Sequence, residues 1–192
     1  MYSINTNVLL MKYSKKNKKL PFNITKHGNV SSIYFNNIFD NIIKCVELKK
    51  KDKIKILDFG CGNGYLKKRL GKNKKIKVIG YDIVRELSDV QNWKLVNFDY
   101  FVSCQVFTYF KKKKLENIIK YLRKNRFKSK VIVAITRQGW LNKLGAFILN
   151  EPEAHTNFNL SPKQELEILT KYMKIIKKIN IFFLTDIYVL EF

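Results

Sequence analysis

Residues 58–64 read Asp58-Phe59-Gly60-Cys61-Gly62-Asn63-Gly64. Ahead of them stands a short β-rich run, Ile54-Lys55-Ile56-Leu57, and behind them Tyr65 to Leu70 has helical character. Three glycines at alternate positions between a strand and a helix make a sharp turn that another molecule can approach closely, because glycine has no Cβ. The helix start beyond offers free N–H groups to a carboxylate or a phosphate. The next strand, Lys77-Val78-Ile79-Gly80-Tyr81, ends at Asp82, 24 residues after Asp58. A carboxylate there accepts both hydrogen bonds of a ribose diol.

Outward from this turn, strands alternate with helices. Ile33, Phe35, Ile38, Phe39, Ile42, Ile43 and Val46 recur at helical spacing before the first strand, with Ser31 or Ser32 as the expected cap. Tyr100–Ser103 reads as a third strand, Leu115–Leu122 as a helix, and the wholly apolar Val131–Ile135 as a buried fourth strand. Pro162–Tyr172 reads as a helix with proline in its first turn. Lys174–Leu184 and Asp186–Phe192 are two strands with almost nothing between them, hence an antiparallel hairpin. The expected fold class is α/β: a doubly wound, mostly parallel sheet with an antiparallel C-terminal edge hairpin. The expected domain layout is a basic arm over residues 1–30 and one domain over 31–192, with an insertion at about 137–161.

The strand, glycine turn, helix and following acid resemble the class I S-adenosylmethionine methyltransferase family, whose first motif reads acid-x-Gly-x-Gly-x-Gly. The resemblance runs from about Ile54 to Phe192. Nicotinamide enzymes place a Gly-x-Gly-x-x-Gly turn in the same setting. From Gly60 that spacing requires glycine at position 65, which is Tyr65, so Asp58 and Gly64 favour the methyl donor. The resemblance implies S-adenosylmethionine as cofactor. It implies a donor pocket of Asp58, Gly60, Cys61, Gly62, Gly64, Asp82, Ile83, Asp89, Val90 and Ser103. In it Asp58 orders the turn and the methionine end, Asp82 holds the ribose, and Asp89 with Val90 lies nearest the adenine. Only about 16 residues separate Asp82 from Asp99, where a helix and a strand normally fit, so a shortened crossover is expected.

The acceptor side is less determined. Gln105 and Tyr109, just past the third strand, are candidates to position an acceptor, and His155, in the loop after Val131–Ile135, is the candidate general base. Arg137 is a candidate for an anionic acceptor group. Trp140–Leu149 is apolar and reads equally as a pocket roof or a core helix. Cys104-Gln105 does not complete a nucleophile motif: Ser103 stands where cytosine-C5 methyltransferases carry proline, and no Glu-Asn-Val partner is present.

Composition bounds the remaining choices. The formal net charge is +23, with 38 basic and 15 acidic residues among 192. Lysine far outnumbers arginine, and with abundant Asn, Ile, Phe and Tyr this matches the codon bias of an AT-rich genome. A dedicated nucleic-acid reader favours the arginine fork. The scarcity of acids still leaves room for selection toward an anionic partner. Three cysteines and two histidines at wide spacing give no disulfide framework and no metal site. No run of about 18 apolar residues and no secretory leader is evident, so the expected compartment is the cytoplasm. A small-molecule, lipid or glycan acceptor leads. An RNA or DNA acceptor on the lysine-rich face, a binding-only protein, and peripheral contact with an anionic membrane all stay open.

Overall fold

The computed structural model describes residues 29–47, 53–71, 73–126, 128–137 and 159–192. Helix α1 spans Asn29–Lys44, strand β1 Ile54–Phe59, helix α2 Tyr65–Leu70 and strand β2 Ile76–Tyr81. Strand β3 follows at Tyr100–Cys104, helix α3 at Lys112–Asn125, strand β4 at Lys130–Thr136, helix α4 at Pro162–Thr170, strand β5 at Lys174–Ile181 and strand β6 at Thr185–Glu191. The sheet order is β2-β1-β3-β4-β6-β5. The first four strands run parallel, and β6 runs antiparallel to both β4 and β5. The mostly parallel sheet with its reversed C-terminal hairpin is therefore present. The last strand in sequence is not the last in space: β6 inserts beside β4, and β5 forms the edge.

Side-chain alternation explains the two layers. Ile56, Val102, Ile132, Ala134, Ile187 and Val189 face one side of the sheet, where they pack with Ile38 and Ile42 of α1 and Leu66 and Leu70 of α2. Leu57, Phe101, Val131, Val133, Tyr188 and Leu190 face the other side, against Leu115, Ile119 and Leu122 of α3 and Ile168 and Leu169 of α4. These strands are apolar on both faces because both faces are covered. Helix α1 starts at Asn29, two residues ahead of the expected serine cap. Helix α4 is capped as its sequence requires. Ser161 Oγ accepts from Gln164 N, and Gln164 Oε1 accepts from Ser161 N, a reciprocal box with Pro162 at the first helical position.

The crossover between β2 and β3 is as short as expected. It holds two single-turn 3₁₀ helices, Arg85–Leu87 and Trp93–Leu95. Trp93 fills the space that a crossover helix would cover. Its ring lies 5.5 Å from Phe59, 5.9 Å from Phe101 and 5.1 Å from Tyr121. Phe59 is the hub of this aromatic group, with Tyr81, Phe107 and Phe110 also against it. Each such pair adds about 0.5–1.5 kcal/mol beyond burial of its area. The phenylalanine inside the glycine motif thus anchors the turn to the core.

Glu165 is the discordant group in that core. It is buried, its Oε1 has no hydrogen-bond partner among the described residues, and burial pushes its carboxyl up from 4.5 to about 8. The folded chain keeps this proton where the unfolded chain has lost it. Stability therefore falls as pH rises from 4.5 to about 8. Glu165→Leu is expected to remove that slope and to stabilise the protein by about 1–3 kcal/mol at the alkaline end. Urea midpoints measured below and above the window check this, and an unchanged slope contradicts it.

Candidate functional site

The glycine turn follows β1 at the carboxyl edge of the sheet, and its bends come from left-handed backbone. Gly60, Gly62 and Gly64 have φ of 80°, 49° and 68°. Their surroundings differ. A Cβ on Gly60 would lie 2.3 Å from Val106 Cγ2, so this glycine makes room for the protein's own segment after β3. A Cβ on Gly62 or Gly64 would meet nothing within 4 Å, which leaves their outer side open. The turn's N–H groups are largely used internally. Gly60 N and Cys61 N donate to Tyr81 O at 2.7 and 3.1 Å, and Gly64 N donates to Cys61 O at 2.9 Å. These three N–H groups of the turn are thus committed to shaping the loop. Helix α2 is six residues long and opens at Gly64 without a side-chain cap.

Asp82 ties the two loops together. Its Oδ2 accepts from Gly62 N at 2.9 Å, its Oδ1 accepts from Val84 N at 3.0 Å, and its own N–H donates to Ser88 Oγ at 3.1 Å. A carboxylate has about four lone-pair sites, so acceptor capacity remains on both oxygens. Beside it Ile83 is 68% exposed, an apolar surface at the mouth of the turn. Asp58 lies beneath, 3% exposed, and its carboxyl is pushed up to about 7 by burial and then by the charges of Asp82 and Asp89. The charges of Asp82 and Asp89 both act on the Asp58 carboxyl.

Asp89 and Val90, expected nearest the adenine, follow the second of these loops. Asp89 Oδ2 accepts from Gly80 N at 2.7 Å, and its Oδ1 takes Lys67 Nζ at 2.6 Å. Burial works against its charge, but these two partners outweigh that and hold it below the usual carboxylate range. Asp89 is thus a tether between the short crossover and β2. Val90 packs against the core. A groove of about 510 Å³ along β2 includes Lys67, Val78, Asp89 and Val90, and neither Asp82 nor Gly62 lines it. Sequence reasoning missed Gly80. A Cβ there would lie 2.7 Å from Cys61 Sγ and 3.3 Å from Asp89 Oδ2, so its absence lets the glycine turn rest on β2. The signal was available as a glycine inside a strand pattern.

The other candidates divide. Cys61 is buried, with its Sγ donating to Leu87 O at 3.4 Å, and its thiol is pushed up to about 12 by burial and then by Asp58, Asp82 and Asp89. Ser103 is fully buried on the α3–α4 side, its Oγ without a partner among the described residues. Cys104 is likewise raised to about 12, by burial and by Asp58, so the thiolate that a nucleophile needs is suppressed. Gln105 has φ 56°, and its Nε2 donates at 3.2 Å to both the Tyr34 and Thr185 hydroxyls, which also bond each other. This joins the ends of α1, β3 and β6 beside Asp58 and Cys104, and neither Tyr34 nor Thr185 stood out in the sequence. Tyr109 is partly exposed, and its carbonyl accepts from Asn159 Nδ2 at 2.7 Å. Arg137 is held by Asp186 at 2.8 Å, so its guanidinium already has an anion. His155 and Trp140–Leu149 lie outside the described residues.

Comparison with known proteins places this architecture. A family model described as a methyltransferase domain matches residues 26–135. The crystal structure of PH0226 protein from Pyrococcus horikoshii OT3 is similar with a TM-score of 0.63 and 16% identity, over 85% of this chain and 92% of that one. The magnesium protoporphyrin IX methyltransferase ChlM from Synechocystis PCC 6803, solved with bound SAH, gives 0.58 and 12% over 98% and 95%. The mitomycin 7-O-methyltransferase MmcR gives 0.59 and 10% over 84% and 55%. At such identities the likeness establishes the fold. No curated protein sequence matches. The chain belongs to this methyltransferase family, in the class I, S-adenosylmethionine-dependent form of the fold.

The glycines separate by experiment. Gly62→Ala faces open space and is expected to cost about 1–2 kcal/mol from its backbone alone. Gly60→Ala carries the same backbone cost plus a steric one of about 1–3 kcal/mol against Val106. Denaturant midpoints compare the two, and equal losses contradict the assignment.

Proposed function

We propose that this chain transfers the methyl group of S-adenosylmethionine, by in-line displacement in the cytoplasm, to a small-molecule acceptor of metabolite, lipid or glycan type. The observation that carries the donor reading is the Gly62 N to Asp82 Oδ2 hydrogen bond. It joins an open-sided glycine turn to a carboxylate with spare lone pairs whose charge also acts on the buried Asp58. That set fits an adenosyl ligand whose sulfonium and α-ammonium groups carry positive charge. The donor, when bound, supplies a methyl group activated by its sulfonium charge.

The chain's own residues bind and align. Gly62 and Gly64 leave room for close approach, Asp82 accepts from the ribose hydroxyls, and Ile83 offers an apolar face. Asp58 provides negative charge at the base of the crevice, while Cys61 and Gly60 shape the turn. Alignment alone supplies a large part of the barrier reduction in a displacement of this kind. Gln105, held in a disfavoured backbone conformation by Tyr34 and Thr185, borders the acceptor side, and Tyr109 stands at its rim. An acceptor that must lose a proton needs a base, and His155 is the candidate. Ser103, Asp89 and Val90 support the pocket from behind. An RNA or DNA acceptor is the second reading, favoured by the Lys111–Lys114 run. These lysines crowd the positive end of α3, whose first turn has no acid. A gel shift with RNA that vanishes at physiological salt removes that reading.

Two measurements test the donor site. Asp82→Ala is expected to weaken S-adenosylmethionine binding about 10–100-fold, from the loss of charge-assisted hydrogen bonds of about 1.5–3 kcal/mol. Equal affinity in both proteins contradicts the role of Asp82. The free protein holds the Asp58 proton up to about pH 7, and a cation bound nearby favours the carboxylate. Binding should therefore expel a proton, with affinity rising as pH increases toward about 7 and levelling above it. Calorimetry in buffers of different ionisation enthalpy reads the proton release. Asp58→Asn should abolish it, and a wild-type affinity independent of pH across this window argues against Asp58 beneath the donor.

A further inference from the structure

We propose that the turn between β5 and β6 is an interfacial anchor that seats the carboxyl edge of the sheet on an anionic phospholipid surface. Leu184 N donates to Ile181 O at 2.9 Å, closing a two-residue turn whose central residues are Phe182 and Phe183, with φ of 49° and 58°. A hairpin turn with positive φ at both central positions favours Asn-Gly and disfavours bulky side chains. The two rings do not fill the core in exchange, since Phe182 is 53% and Phe183 70% exposed. Neither backbone preference nor internal packing accounts for a Phe-Phe pair here, whereas a partner that receives the rings does.

The position and the charge identify that partner. Thr185 pairs with Thr136 at the carboxyl end of β4, so the turn projects from the same edge as the glycine turn. Tyr34, bonded to Thr185, brings the neighbouring Ile33 to this edge, where it is also exposed. The adjoining strand β5 carries exposed Lys177 and Lys178, the latter 3.3 Å from Asp186 of β6, and no acid of its own, in a chain of net charge +23. Lysine ammonium groups near an anionic leaflet each add attraction without needing defined geometry, and peripheral anchoring takes an apolar and a cationic signal together. Single-stranded nucleic acid also takes aromatic and basic groups. An aliphatic side chain such as Ile33 offers a base no stacking face and partitions into hydrocarbon, which favours the bilayer. Among the described residues no helix is long and apolar enough to cross a membrane, in keeping with contact from one side.

Cosedimentation tests this with extruded vesicles of phosphatidylcholine, with and without phosphatidylserine. Wild type is expected to bind the phosphatidylserine vesicles, more weakly at high salt, and to bind pure phosphatidylcholine poorly. The double substitution Phe182→Asn with Phe183→Gly suits the turn, so its melting temperature should rise while vesicle affinity drops about tenfold or more. Phe183→Asn alone should give an intermediate loss. S-adenosylmethionine affinity without vesicles should not change, so failure of the donor reading and failure of the anchor are seen separately. Wild type that ignores phosphatidylserine vesicles overturns the proposal. So does a double variant that sediments like wild type, or one that loses binding to oligouridine while keeping the vesicles.

Discussion

Three carboxylates, Asp58, Asp82 and Asp89, are held within Coulombic reach of one another in a chain that carries a net charge of +23. Acids are scarce in this protein, and their concentration at one edge of the sheet organises everything around it. Each is held by backbone N–H groups or by burial rather than by a shell of lysines. Asp82 takes Gly62 N and Val84 N, Asp89 takes Gly80 N together with the single Lys67, and Asp58 sits beneath both, at a cost in its own ionisation. A site assembled this way is a local well for positive charge inside a cationic envelope. Long-range repulsion from the envelope falls off within about a Debye length of 8–10 Å in salt, whereas interactions of the buried Asp58 are screened far less.

The shortened crossover shows how the fold keeps the site in place with fewer residues. A helix between β2 and β3 would cover the Phe59–Phe101 side of the sheet. Trp93 does this with one side chain, capped from behind by Asn92, whose side chain accepts from Lys94 N. The saving leaves the outer edge of β2 bordered by a groove, and the Asp89–Lys67 pair closes the loop onto the strand. Asp89 thereby ties the short crossover to β2 and α2.

What the sequence disclosed and what it concealed follow from the range of the interactions involved. The strand, glycine turn and helix around Asp58 are local, and so is the reach from Asp58 to Asp82 across one crossover. The wholly apolar run of β4 was equally plain. Hidden were the contacts between segments far apart in the chain. Tyr34 meets Thr185 across 151 positions and Gln105 across 71. The insertion of β6 between β4 and β5 is likewise a pairing choice that hairpin spacing does not specify. Arg137 looked available for an anionic ligand only because its partner, Asp186, lies on a strand 49 residues away. Gly60 and Gly62 were indistinguishable by spacing, and Val106 separates them.

Backbone conformation adds the last step. Six described residues have positive φ: Gly60, Gly62, Gly64, Gln105, Phe182 and Phe183. All six follow a strand on the carboxyl edge or lie in the turn that meets that edge through the Thr185–Thr136 pair. Three are glycines, for which the conformation is nearly free, and three are not. Tertiary bonds over-determine Gln105, through Ala134 O behind and the two hydroxyls ahead. The phenylalanine turn is fixed by its own closing bond and by Phe183 N donating to Asn180 Oδ1. Strain of this kind persists where the surrounding structure enforces it, and it gathers at sites of function. The opposite edge, where the strands begin, shows none among the described residues. One rim of the sheet therefore carries the glycine turn with its acids, the disfavoured glutamine and the exposed aromatic turn.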